Sequence, residues 1–180
     1  GVNLSRANLT GARFDKADLS GSYLQGVIAR RTSFAGCNFR GAALPGAAMA
    51  SSMLRGADLS SADLRWGNLV DANLLGADLT GAQLFEAALH GCAMKGARLG
   101  GAQLESADLD NANLREAVLP NAVLHSATLR KADLHDADLR RCDLRGANLT
   151  GATLTGAQLE GAVYDAGTRF PEGFEVDGLD

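Results

Sequence analysis

The chain has 180 residues, 46% of them hydrophobic but only 5% aromatic, so it holds enough apolar matter for a domain core built from Leu and Ala rather than rings. Its 17 basic and 21 acidic residues leave a formal net charge of −4, a near balance that argues against both a polycation gripping nucleic acid and a strong polyanion. No apolar run approaches the ~20 residues that span a bilayer and no signal peptide is visible, so neither direct nucleic-acid binding nor membrane insertion is expected.

From its first residues the chain reads in fives: Ala-Asn-Leu-Thr-Gly at 7–11, Ala-Asp-Leu-Ser-Gly at 17–21, Ala-Asp-Leu-Thr-Gly at 77–81. A large apolar residue forms the centre of each unit, at 4, 9, 14 and every fifth position to 164, making 33 consecutive units without insertion or deletion. Most centres are Leu, among them Leu64, Leu84 and Leu104. The exceptions are Phe14, Ala29, Phe34, Phe39, Met49, Met94 and Tyr164. Two residues before each centre sits Ala or another small residue, and two residues after it Gly is commonest. Gly1 already lies inside the pattern with no initiator Met, so the chain reads as part of a longer polypeptide or as one whose upstream cap is missing.

An α-helix does not account for a period of five, because successive centres would step around the axis by about 140° and make no face. One continuous strand fails too, since an odd period moves Leu to alternate faces. A short extended segment followed by a corner works. The small residue and the centre point the same way, inward, and Gly supplies the left-handed position that a type II turn requires. Stacked coils then place Leu over Leu, with hydrogen bonds between coils about 4.8 Å apart.

The Ala-(Asp/Asn)-Leu-X-X units, running over residues 2–164, resemble those of the pentapeptide-repeat proteins. The resemblance implies an all-β fold, a right-handed quadrilateral β-helix with four units, or 20 residues, per coil. Residues 1–164 would form about eight coils, a rod roughly 38 Å long at the strand spacing. Phe14, Phe34 and the Leu centres would be its buried core. After Tyr164 the register fails, and residues 165–180 read as a C-terminal capping tail in which Phe170 and Phe174 cover the last coil. The N-terminal end has no such lid, which leaves it available for self-association.

Nothing in the chain reads as an enzyme. There is no nucleophile elbow, P-loop, dinucleotide fingerprint or Cys-X-X-Cys, and no cofactor is implied. Cys37, Cys92 and Cys142 take the small inward position on three sides of the coil, too far apart to bridge. As free thiols they suit a reducing compartment such as the cytoplasm. His90, His125 and His135 point outward from three different sides, so no metal site is expected from them. The aspartates and asparagines before the centres, such as Asp58, Asp63, Asn68, Asn73 and Asp78, read as solvation and stacking on the outer wall.

Sorted by side, Tyr23, Pro45, Trp66, Phe85, Val123 and Val163 fall on one wall, with Ile28 and Val70 adjoining. Trp66 and Phe85 stand one coil apart. Clustered aromatics on a smooth rod suggest a partner-binding wall, and the expected function is a non-enzymatic scaffold for an unidentified protein partner. Two alternatives stand beside it. Some members of the family resemble B-form DNA and bind DNA gyrase, but no wall here is strongly acidic. Bases cluster late, at Arg130, Lys131, Arg140, Arg141 and Arg145, interleaved with Asp133, Asp136, Asp138 and Asp143. The remaining deficit sits in the tail at Glu172, Glu175, Asp177 and Asp180. The other alternative is a structural domain of a larger polypeptide.

Overall fold

The computed structural model describes residues 1–175. Asp177 and Asp180 of the acidic tail lie outside the described residues, as does the last part of the 165–180 tail. Within the repeats, the residue before each centre forms a parallel bridge with the residue 20 positions on. Asn3 pairs with Tyr23, Asn8 with Ile28, Arg13 with Ser33 and Asp18 with Asn38, and each series continues along the chain. Four bridges per 20 residues define four faces. The first carries Asn3, Tyr23, Ala43 and Asp63, the second Asn8 and Ile28, the third Arg13 and Ser33, the fourth Asp18 and Asn38. The step holds to Asp143↔Val163 and lengthens by one residue at Asn148↔Arg169, where the register of five has ended.

The bridges are single residues rather than longer strands, because the corner uses the rest of the unit. Around Leu64, the amide of Gly67 donates to the Leu64 carbonyl at 3.0 Å and the residue between, Trp66, has φ 58. That is a type II turn from the centre to the third residue beyond it. The left-handed position recurs two residues after the centres, from Arg6 to Gly161. Gly fills it most often, but 16 non-Gly residues also adopt it, including Glu86, Ser106 and Asn111. Each such residue bears a cost of about 1–2 kcal/mol. Part of that is offset by an inter-coil hydrogen bond from the same amide, as from Trp66 to the Phe85 carbonyl at 3.0 Å.

An accounting of backbone donors explains the Asp/Asn preference before the centres. In the unit at 62–66, Ala62 donates in a turn, Asp63 to the coil below, and Leu64 and Trp66 to the coil above. Only the amide one residue after the centre has no backbone acceptor. The preceding Asp or Asn supplies one, as Asp58 Oδ1 does for Ser60 N at 2.9 Å, Asn68 Oδ1 for Val70 N at 3.1 Å and Asp78 Oδ1 for Thr80 N at 2.9 Å. These side chains are thus turn caps, which refines the expectation that they merely solvate the wall. Two units without such a cap fit the same rule: Pro45 and Pro120 have no amide to satisfy, and the residues at their capping positions are Ala43 and Val118.

Inside, Leu64, Leu84, Leu104 and Phe34 are fully buried in one continuous core. Phe14 differs from its expected burial: it is only half-buried, because the coil that holds it has a neighbour on one side only. Its ring stacks on Phe34 at 5.6 Å, and Phe34 meets Phe39 edge-on at 5.1 Å. Ala29 lies in the same coil as these two large rings and is also fully buried. Cys37, Cys92 and Cys142 are free and buried, and burial pushes their thiols up to about 12.

Candidate functional site

Side chains at the bridge position and at the two corner residues face outward, so the surface is a set of vertical columns with a 20-residue step. Between the first and second faces one corner column carries Gln25, Pro45, Arg65, Phe85, Glu105 and His125, and the next position carries Trp66 and Glu86. Trp66 is 52% exposed. Its ring meets Phe85 at 6.3 Å and 88°, and the Arg65 guanidinium lies 5.1 Å from its centroid. Arg65 is in turn fixed by Asp63, with Nε and the terminal nitrogen donating at 2.8 and 2.7 Å. Those hydrogen bonds hold the Asp63 carboxyl below its ordinary value. The result is a preorganised aromatic–cation ridge, with two rings and a guanidinium fixed by a neighbour each.

The remaining wall residues are spread along the same side. Tyr23 is exposed on the first face, and Val123 lies half-buried five coil steps above it. Pro45 is half-buried at the corner, one coil below Arg65. Ile28, exposed on the second face, adds apolar area near Tyr23's level. The structure therefore brings Trp66, Phe85 and Arg65 into contact. No ring contact among the described residues joins Tyr23 to this group.

Three of the late arginines are matched locally by aspartates. Arg140 and Arg145 each make bidentate contact with the aspartate two residues before them, Asp138 and Asp143. Arg130 reaches across a coil to Asp110, with its Nε at 2.7 Å and its backbone amide at 2.8 Å. Burial pushes the Asp110 carboxyl up, but the hydrogen bonds from Arg130 outweigh it and hold it below its ordinary value.

The three histidines stand on three faces, as their spacing implies. One of them nevertheless converges with other ligand types: His90, Asp108 and Asp110 come together in space. The signal was available in the 20-residue register, which sets His90 one coil below Asp110. Considering the histidines only against one another hid it. At the C-terminal end, Tyr164 meets Phe170 edge-on at 5.5 Å and Phe170 stacks on Phe174 at 5.5 Å, all three packing against the core.

The pentapeptide repeats family matches this chain in eight copies, over residues 1–26, 32–69, 57–101, 97–136 and 129–163. Among solved structures, it is similar to HetL, a pentapeptide repeat protein involved in heterocyst differentiation regulation from the cyanobacterium Nostoc sp. strain PCC 7120. The two are 34% identical over 89% of this chain and 75% of HetL, with a TM-score of 0.52. The pentapeptide repeat protein alr5209 of Nostoc PCC 7120 is 45% identical over 54% of this chain and 77% of its own, with a TM-score of 0.44. A trypsin-treated form of QnrB1, a plasmid-mediated fluoroquinolone resistance protein, is 19% identical over 92% and 90%, with a TM-score of 0.47. No curated protein matches. Neighbours of this kind imply a right-handed quadrilateral β-helix, in keeping with the four bridged faces.

Proposed function

The chain belongs to the pentapeptide-repeat family, and from that premise we propose that it is a non-enzymatic scaffold presenting a rigid β-helical wall to a protein partner. The observation that carries this reading is the exposed Trp66, braced by Phe85 and Arg65 on a stacked core. Aromatic and Arg side chains held in one conformation lose little entropy on binding, which is why such groups dominate interface energetics. Tyr23, Pro45 and Val123 extend the wall along the same side. The repeats form about eight coils over residues 1–164. The tail from 165 closes the last coil with Phe170 and Phe174, and the stacked rings of Tyr164, Phe170 and Phe174 support that lid. Three buried thiols suit a reducing compartment such as the cytoplasm.

A gyrase-binding DNA mimic would need a sustained acidic wall. The first face and the corner that follows it instead carry Asp63, Glu86, Glu105, Asp143 and Asp165 against Arg6, Arg65 and Arg145, and four carboxylates of the chain are tied to arginines at 2.7 Å or less. The test is capture from source-organism lysate by wild type and by Trp66→Ser/Phe85→Ser. A protein held by the wild type and lost by the variant supports the scaffold. Equal capture by both overturns the wall, and no capture by either favours a purely structural domain. Inhibition of gyrase supercoiling by both proteins alike would replace the scaffold with the DNA mimic.

A further inference from the structure

Asp110 is the one charged side chain that is buried among the described residues, at 4% exposure. It is also held unusually firmly. One carboxylate oxygen accepts the Arg130 amide at 2.8 Å and the other the Arg130 guanidinium at 2.7 Å. Asp108 is fixed as well, its Oδ1 accepting the Asp110 amide at 3.0 Å and the Thr128 hydroxyl at 3.3 Å. Its other oxygen accepts no hydrogen bond among the described residues, although Arg130 interacts with the Asp108 charge. His90, one coil below, is exposed and its imidazole has no hydrogen-bond or ion-pair partner among the described residues. A groove of about 210 Å³ opens beside them, lined by His90, Asp110, Asn111, Arg130 and Lys131.

One ligand atom from each of His90, Asp108 and Asp110 lies within 4.8 Å of the other two. Ligands at about 2.0–2.2 Å from a common ion are roughly 3–3.6 Å apart, so closing on an ion takes a small side-chain rotation. His90 is free to make it. The two carboxylates are oriented by hydrogen bonds of the kind that tune metal ligands from outside. We propose that His90, Asp108 and Asp110 form a surface site for a divalent transition-metal ion, of the Zn²⁺, Ni²⁺ or Cu²⁺ class.

The donor set decides the class. An imidazole nitrogen with two carboxylates suits these ions, whereas Ca²⁺ and Mg²⁺ call for all-oxygen shells. Arg130 neutralises one carboxylate and Lys131 stands nearby, so the site is weaker than a structural zinc centre. Water completes the coordination at the open groove. The 20-residue register holds the three ligands together, since His90 and Asp110 are one coil step apart and Asp108 caps the turn that begins Asp110's corner.

The test is isothermal titration calorimetry of the full chain with Zn²⁺ and, separately, Mg²⁺, on wild type, His90→Ala, Asp108→Asn and His125→Ala. All three changes are at the surface, and circular dichroism verifies that each variant folds. The site predicts about one Zn²⁺ per chain, weakened ~10-fold or more by His90→Ala and Asp108→Asn and unchanged by His125→Ala, with Mg²⁺ far weaker. Nitrogen coupling in the electron paramagnetic resonance spectrum of the Cu²⁺ form should vanish in His90→Ala. Absence of Zn²⁺ binding, binding indifferent to His90→Ala, or Mg²⁺ binding of equal strength would each overturn the proposal.

Discussion

The Trp66 amide donates to the Phe85 carbonyl at 3.0 Å, and the two rings meet edge to face at 6.3 Å. The same 20-residue step thus sets both the backbone ladder and an aromatic pair of the outer wall. A side chain at a corner is held by the coil geometry itself and needs no inserted loop to position it.

That geometry puts Trp66 at φ 58, a position costly for a bulky residue and taken by Gly26 and Gly46 in the coils below. Trp66→Gly removes this cost along with the ring's contacts to Phe85 and Arg65. Thermal unfolding should therefore change by less than about 1 kcal/mol, while partner capture is lost. A large destabilisation would mean that Trp66 holds the fold rather than serving the surface.

The core is built from Leu, and its middle has neighbours on both sides. Leu84→Ala should cost about 2–5 kcal/mol, as a cavity closed in by the coils above and below. An unchanged melting temperature would contradict the inward register of the centres.

Among the described residues, Ser52 is the buried side chain whose hydroxyl has no hydrogen-bond partner. It stands where Thr32 and Cys92 each donate to the carbonyl of a centre in the coil below, and where Ala is otherwise the usual residue. Ser52→Ala should raise stability by about 1 kcal/mol, since it removes an unpaired polar group and keeps the volume. Calorimetric melting checks it. The same coil region contains Ala29 with Phe34 and Phe39, and there Ala29→Leu should destabilise by about 1–3 kcal/mol through overpacking.

Asp138 and Asp143 have folded pKa values below the ordinary 3.8, chiefly through side-chain hydrogen bonds from Arg140 and Arg145. A lowered carboxyl contributes stability that is present above its unfolded pKa and lost as pH falls through the folded one. Urea midpoints should therefore hold on acidification down to about 3.8 and fall below it. Asp138→Asn should flatten that acid limb. The effect is small, because the pair is partly exposed.

The fold was legible because 33 units run in phase without an insertion, so period, inward residues and corners could be read one by one. The pairing of Trp66 with Phe85 was legible for the same reason, their positions differing by one step less one residue. The rest depended on distances that a column assignment does not carry. The turn-capping role of Asp63 or Asn68 emerges only when every backbone donor is counted. The half-burial of Phe14 reflects its place in the first coil, and the meeting of His90 with Asp108 and Asp110 requires a comparison between residue types as well as between coils. Left-handed corners at Glu86 or Lys131 were also hidden, since nothing in those side chains announces φ near 60°.

The most direct test of the scaffold is face-specific photo-cross-linking in source-organism lysate. A photoreactive residue placed at 85, beside Trp66, is compared with one placed at 53, where Met53 is 46% exposed on the third face, more open than the half-buried Phe85. A partner-binding wall at Trp66 gives a discrete protein adduct from position 85 and none from position 53. Equal adducts from both positions, or none from either, would contradict it.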